Sequence, residues 1–424
     1  MASPSPTASD ADDETYFVVP LSIQPDGENY LIGNADLDDY YQIPAQGRDI
    51  LGMLQQGDTP AAIKAKLADE GGDPGDMVDV DDFVAMLREI GFLYPMADSA
   101  LHQARVDSGP ADRRIFFKAN ERIARAIFSP VSLVAYVGIV GYALVLAIAD
   151  PALRIDPYAF FIERNFAATL VLLLLLSSFT VMLHELGHML AAARHGVSSR
   201  LGIGNRLWNI VAEADLSGVL ALPKRKRYLP LLAGMMVDVL VIALLTLLIA
   251  ALLRSGLMGG EAGFAVPLLQ ALILQIVVTM TWQFNFFLKT DLYYVLSNYW
   301  SYPDLDADAR IFLRDRIHRL SNGRFGARAE SPVYTNLRVL NAFAILWVVG
   351  RLLALGMLVL VVIPTLYLYA EKTWRAWRDP TVSMGTVYDL GIFTLLSVMI
   401  IVAGLYMWLR GRLATRRTLR KESR

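Results

Sequence analysis

Long uninterrupted apolar runs dominate the chain beyond residue 130, at about 131–149, 166–190, 229–253, 265–288, 340–366 and 387–409. A helix needs ~20 residues to cross a hydrocarbon layer about 30 Å thick, and these runs are of that length. The pattern predicts a polytopic α-helical membrane protein with about six transmembrane helices. The first hundred residues follow a different rule. Short apolar runs at 16–23, 30–32 and 40–43 are split by turn signals such as Pro25-Asp26-Gly27, and read as small strands. Helical periodicity then covers 46–54, 59–67 and 80–90, with Thr59 placed as an N-cap and Pro60 at the first helical position. Strands followed by helices predict a small N-terminal α+β, winged-helix-like domain over 15–97. Residues 1–14 are rich in Ser, Pro and Asp, lack a signal-peptide pattern, and are expected to be a disordered tail.

Charge sharpens this division. The first hundred residues carry 20 Asp and Glu against 4 Lys and Arg, net −16, and the remainder carries 35 basic against 21 acidic residues, net +14. Phosphate binding needs a positive surface, so the acidic head argues against nucleic acid as a partner. Residues 98–128 form a basic connector containing Arg113, Arg114, Lys118, Arg122 and Arg125. Alternating the spans from a cytoplasmic start places the Lys224-Arg225-Lys226-Arg227 cluster, the arginines of 310–328 and the basic tail 411–424 all on the inner side. An integral membrane protein with both termini cytoplasmic is expected, with 129–410 as its transmembrane domain. That tail reads as an anchor to anionic lipid, and Tyr293, Tyr294, Trp300, Trp374 and Trp377 read as interfacial anchors.

The second span contains His184-Glu185-Leu186-Gly187-His188, an H-E-x-x-H pattern inside membrane-grade sequence. Histidines at i and i+4 share one helix face, so both imidazoles can reach one ion at ~2.0–2.1 Å. A zinc ion there would lower the pKa of a bound water towards ~7, and the neighbouring Glu185 could take its proton. Ionisable residues at depth in a membrane helix are costly, which raises the weight of this motif over a chance match. The chain has no cysteine, so any metal must sit on His and carboxylates. His195 lies ~10 Å further along the helix and reads as a helix-end residue, while His102 and His318 fall in polar sequence. Two carboxylates remain as third ligands. Asp291 follows the fourth span at the same membrane side as the histidines, and Asp238 lies ~13 Å into the third span, where it could ligate or hydrogen-bond between helices.

These residues carry two resemblances. The pair His184-Glu185-Leu186-Gly187-His188 and Phe284-Asn285-Phe286-Phe287-Leu288-Lys289-Thr290-Asp291-Leu292-Tyr293-Tyr294 resembles the site-2 protease family of intramembrane zinc metalloproteases, in the branch of peptide zinc metalloproteases. That resemblance, over about 165–300, implies a three-helix catalytic core. It also implies His184, His188 and Asp291 as Zn2+ ligands, Glu185 as general base, and Asn285 as a catalytic polar group near the substrate or oxyanion. Phe286, Leu292 and Met235 depart from the pattern, where Pro, Gly and Pro are usual. Leu292 bears most on Asp291, because Gly there permits a turn that Leu resists.

The head, through Ile50-Leu51-Gly52-Met53-Leu54, Gly57-Asp58-Thr59-Pro60-Ala61-Ala62-Ile63 and Phe83 to Leu93, resembles the PqqD-like domains that bind leader peptides of ribosomal peptides. It implies strand addition of a leader peptide, with a structural cap as the alternative. Together the two resemblances imply an enzyme that removes leaders in natural-product maturation in a bacterial plasma membrane, similar to the intramembrane proteases of daptide biosynthesis. Two other readings are a regulatory site-2 protease cutting a membrane-anchored signalling protein and an inactive membrane scaffold that docks a precursor.

Overall fold

The computed structural model describes residues 14–422, apart from 28, 35–38, 70–77, 97–114, 118–119, 157, 161, 163–164, 198, 207–208, 256–261, 303–304, 322–335 and 380. The expected tail, His102, and Arg113, Arg114 and Lys118 of the connector lie outside the described residues. Contacts divide the chain into two compact units, one within Met1–Arg113 and Asp215–Tyr228, the other Arg114–Ala214 and Leu229–Arg424.

The first unit is α+β. Strand β2 (Ser22–Asp26) pairs antiparallel with β3 (Asn29–Asn34), which pairs with β4 (Asp39–Ile43), while β1 (Tyr16–Val18) pairs with β5 (Leu93–Pro95). The single strand expected over 16–23 is broken into β1 and β2 around Pro20, which has no N–H to give a ladder. Helices α1 (Ala45–Gln55), α2 (Pro60–Asp69) and α3 (Val80–Glu89) fall where periodicity placed them. Thr59 Oγ1 accepts from Ala62 N at 3.3 Å, and the Asp79 carboxylate accepts from Asp81 N at 2.9 Å, so both helices are capped by side chains. Ile32, Ile43, Ile50, Leu54, Ile63 and Leu87 form the buried core. Leu31 and Gly33 alternate to the opposite face of β3 and are buried as well. The short 3-10 turn Ser217–Ala221 packs on β2, β3 and β4, with Val219 buried, so a segment far along the chain belongs to this unit.

The second unit is mostly helical. Strand β6 (Ile115–Phe117) and helix α4 (Glu121–Ile127) lead to α5 (Pro130–Ala149) and α6 (Phe166–Ala193). Strands β7 (Ser199–Arg206) and β8 (Asn209–Asp215) complete a three-stranded sheet in the order β6-β7-β8. Then come α7 (Lys224–Arg254), α8 (Ala262–Trp282), α9 (Asp291–Trp300), α10 (Leu305–Leu320), α11 (Leu337–Met357), a π turn (Leu358–Val362), α12 (Ile363–Arg378) and α13 (Met384–Glu422). Among the described residues five helices are long and apolar enough to cross a membrane, and α13 contributes a shorter apolar stretch, Met384–Ile400.

Two clusters fix the alternation of these helices. Leu146 and Leu153 pack with Ile249, Leu253 and Val266, joining the end of α5, the end of α7 and the start of α8. Phe128 and Leu133 pack with Ala191, Leu229 and Ala233, joining the start of α5, the end of α6 and the start of α7. Neighbouring helices therefore run antiparallel, as expected of successive spans.

Two spans differ from the hydropathy reading. The fourth helix stops at Trp282 rather than continuing to 288, because Gln283 to Thr290 form a hydrogen-bonded turn. The fifth is a rod whose first part packs against α10, a charged helix, with Arg316 donating to Asn341 at 3.1 Å and Trp347 Nε1 donating to Asp306 at 3.2 Å. At its other end Tyr369 donates to the Phe160 carbonyl. From Arg351 to Tyr369 the rod rises ~27 Å, about one hydrocarbon thickness. Tyr293 is also not an interfacial anchor, since it is buried in the cluster of Phe286, Leu305, Leu340 and Phe343.

Candidate metal centre

His184 and His188 lie on one face of α6, both buried, in its last three turns. The helix can approach α7 closely there because residue 187 is glycine. A Cβ at Gly187 would stand 2.7 Å from Val237 Cγ2 and 3.1 Å from the Ala233 carbonyl. Each imidazole is oriented by a partner on α7. His184 Nδ1 stands 2.8 Å from Asp238 Oδ2, and His188 Nδ1 stands 2.7 Å from the Pro230 carbonyl oxygen. A carbonyl only accepts, so His188 Nδ1 carries the proton, and an ionised Asp238 assigns the same tautomer to His184. Both Nε2 atoms are then left as acceptors.

The third donor arrives from the turn after α8. Gln283 holds it twice: its Nε2 donates to Asp291 Oδ2 at 3.0 Å, and its Oε1 accepts from Asp291 N at 3.1 Å. Thr290 Oγ1 closes the turn by donating to the Gln283 carbonyl at 2.6 Å. The turn takes its left-handed residue at Lys289, with φ of 52°, and α9 starts at Asp291. Leu292 thus has helical backbone and packs its side chain inward, so no glycine is needed after Asp291. Phe286 opens the 3-10 turn Phe286–Leu288 and is buried.

The three donor atoms make a small triangle. His184 Nε2 to His188 Nε2 is 3.1 Å, His184 Nε2 to Asp291 Oδ2 is 3.1 Å, and His188 Nε2 to Asp291 Oδ2 is 3.3 Å. Donors bonded to one tetrahedral ion at ~2.0–2.1 Å stand ~3.3 Å apart, so the spacing suits one cation. Two imidazole lone pairs and a carboxylate this close repel one another unless a cation or proton is shared between them. Room exists on the α7 side because residue 234 has no side chain. A Cβ on Gly234 would lie 2.3 Å from His188 Nε2 and 2.5 Å from His184 Nε2. The cluster could hold a metal ion, and the structure brings together the three residues expected to do so.

Compared with known protein families, curated proteins and solved structures, the chain matches none.

Asp238 resolves as the hydrogen-bond partner between helices, the alternative that its depth had left open. Glu185 Oε2 accepts from the backbone N–H of Ala214 in β8 at 2.7 Å, and its Oε1 makes no hydrogen bond among the described residues. Asn285 is buried, donates through Nδ2 to the Trp282 carbonyl at 3.0 Å, and leaves Oδ1 without a partner among the described residues. It makes no hydrogen bond to the three donors. His195 lies in the turn beyond α6, away from them in the chain. Sequence reasoning missed Gln283. A polar residue at the end of an apolar run, eight positions before a candidate ligand, was the only signal.

Proposed function

We propose that the chain is an intramembrane zinc metalloprotease that cleaves a peptide bond in a ribosomal peptide precursor, removing its leader. The observation that carries this reading is the triangle of His184, His188 and Asp291 donor atoms with a carboxylate, Glu185, next to the first of them in sequence. An N/O donor set of this kind suits zinc. When bound, zinc would polarise a peptide carbonyl and acidify a water. The chain's own groups do the rest. Glu185, steadied through Oε2 by Ala214, accepts a proton at Oε1 from the attacking water and passes it to the leaving amine nitrogen. Asn285 offers a buried polar group for the substrate or the developing oxyanion.

The head supports the precursor part of the reading. A groove of about 520 Å³ runs beside β2 and is lined by Ile23, Gln46, Met53, Gln56 and Leu67. Strand β2 is, like β4, an edge strand of its sheet, a position where an extended peptide would add and lay side chains into such a groove. The positive-inside rule applied to the basic clusters supports cytoplasmic termini, and the natural-product reading adds a bacterial plasma membrane. A head and a metal centre on one chain raise the effective concentration of a tethered precursor. The test is metal content and precursor cleavage by purified full-length protein. Wild type should hold one zinc and cleave, and Glu185→Gln should hold zinc and not cleave. Cleavage retained by Glu185→Gln refutes the mechanism, whereas zinc-loaded wild type that binds precursor without cutting it marks a docking scaffold.

A further inference from the structure

Arg351 is a cation without a direct ion pair among the described residues, and the nearest carboxylate that acts on it, Asp306, is already bonded to Arg310. It lies in α11 within a long apolar stretch, its side chain exposed, and its neighbours on the rod are exposed aliphatics: Val348, Leu352 and Leu355. Among the described residues no carboxylate lies within ion-pair distance of its guanidinium, whereas Arg310 has Asp306 at 2.9 Å. Its contacts are aromatic. The guanidinium carbon lies 4.0 Å from the centre of the Trp347 ring and 4.8 Å from that of Phe287.

The rod's packing sets its level. Helix α10 carries Arg310, Arg314, Arg316 and Arg319 and accompanies α11 only as far as the Asp306 to Trp347 bond. A helix this charged belongs in water or headgroups, so Trp347 marks the border and Arg351 lies one turn, ~6 Å, deeper. An arginine at that depth extends its head back towards the phosphates while its stem stays among lipid chains. Contact with the corner of the edge-to-face pair Trp347 and Phe287 steadies the guanidinium and leaves N–H groups for a bidentate acceptor.

We propose that Arg351, set against the edge-to-face pair Trp347 and Phe287, is the binding site for the phosphate of an anionic phospholipid. Arg310 and Arg351 share the one carboxylate Asp306, so one positive charge is left over, and a lipid of net charge −1 neutralises it where a zwitterionic headgroup does not. The site lies on the turn that delivers the third metal donor. Phe287 belongs to Phe286–Leu288, four residues before Asp291, and a Cβ on Gly350 would stand 2.8 Å from the Phe284 carbonyl oxygen. The proposal does not depend on proteolysis.

Native mass spectrometry of purified full-length protein, titrated with phosphatidylglycerol and with phosphatidylcholine, tests it. Wild type should retain phosphatidylglycerol preferentially. Loss of a charge-assisted bidentate contact predicts a fall of about tenfold or more in that preference for Arg351→Gln, with Arg351→Lys, which keeps the charge but not the paired N–H groups, falling between the two. Equal retention by wild type and Arg351→Gln overturns the proposal, as does wild type that does not distinguish the two lipids. If inorganic phosphate stabilises delipidated protein through Arg351 as strongly as phosphatidylglycerol does, the lipid assignment falls. Should Arg351→Gln fail to fold, a photoactivatable phosphatidylglycerol on wild type decides: adducts on the segment around Trp347 and Arg351 support the site, and adducts confined elsewhere refute it.

Discussion

Asp238 Oδ2 stands 2.8 Å from His184 Nδ1, so a carboxylate buried in one apolar helix orients a metal-facing imidazole of another. Such a partner fixes the tautomer and raises the basicity of the ligating nitrogen. Asp238→Ala should therefore lower zinc affinity by about 10–100-fold, and Asp238→Asn, whose amide oxygen can still accept the hydrogen bond from Nδ1–H, by less. Competition titration against a chelator measures this. Wild-type affinity in Asp238→Ala would show that His184 is held by packing alone.

Gln283 does for Asp291 what Asp238 does for His184. Gln283→Leu removes two hydrogen bonds to the ligand residue, each worth about 1 kcal/mol, and should cost roughly tenfold or more in metal affinity. Circular dichroism should show helix content unchanged. Metal binding at wild-type strength would mean that Thr290 and Lys289 shape the turn without Gln283.

Two glycines on facing helices make a matched pair for substitution. Gly234→Ala puts a methyl 2.3 Å from His188 Nε2 and should abolish metal binding while the protein still folds. Gly187→Ala meets the tip of a Val237 side chain at 2.7 Å, which can rotate, and the Ala233 carbonyl at 3.1 Å, which cannot. It should lower thermal stability by about 1–3 kcal/mol, a typical overpacking cost, with metal content partly retained. Equal metal loss in both variants would contradict this division.

Far from the centre, Asp389 of α13 caps the first turn of α6. Its two oxygens accept from Phe166 N at 2.7 Å and Ala167 N at 2.9 Å, in place of the usual N-cap, because Asn165 is left-handed and makes no cap bond. Asp389→Ala should cost about 1–2 kcal/mol of stability. The expected signature is a lower melting temperature with zinc stoichiometry intact. An unshifted melting curve would show that water satisfies those amides equally well.

How much of this could be read beforehand depended on whether the signal was local. Periodicity placed α1, α2 and α3, and Thr59 and Pro60 marked the start of α2, because such signals act within a few residues of themselves. The pairing of His184 and His188 in the cluster followed from helix geometry, and that of Asp291 from its position beside a span. Hydropathy overran the fourth helix to 288 because Phe286 and Leu288 are apolar whether helical or not, and the turn is made by Gln283 and Thr290. The caps and clamps that join distant residues left no periodic trace: Asp389 and Phe166 are 223 positions apart, and Asp238 and His184 are 54. The exception in the head was Pro20, whose missing donor splits a strand that apolar patterning ran together.

The fourteen residues Asp215–Tyr228 group with the acidic head although they run from the last residue of β8 into the first turn of α7. The polypeptide is thus threaded through its N-terminal module twice, so a single protease nick in the connector cannot shed that module. A truncation that begins after residue 97 would also strip the sheet from Val219 and strand an apolar side chain in water. Precursor capture is better dissected with side-chain replacements in the groove, such as Met53→Glu, than with scissors.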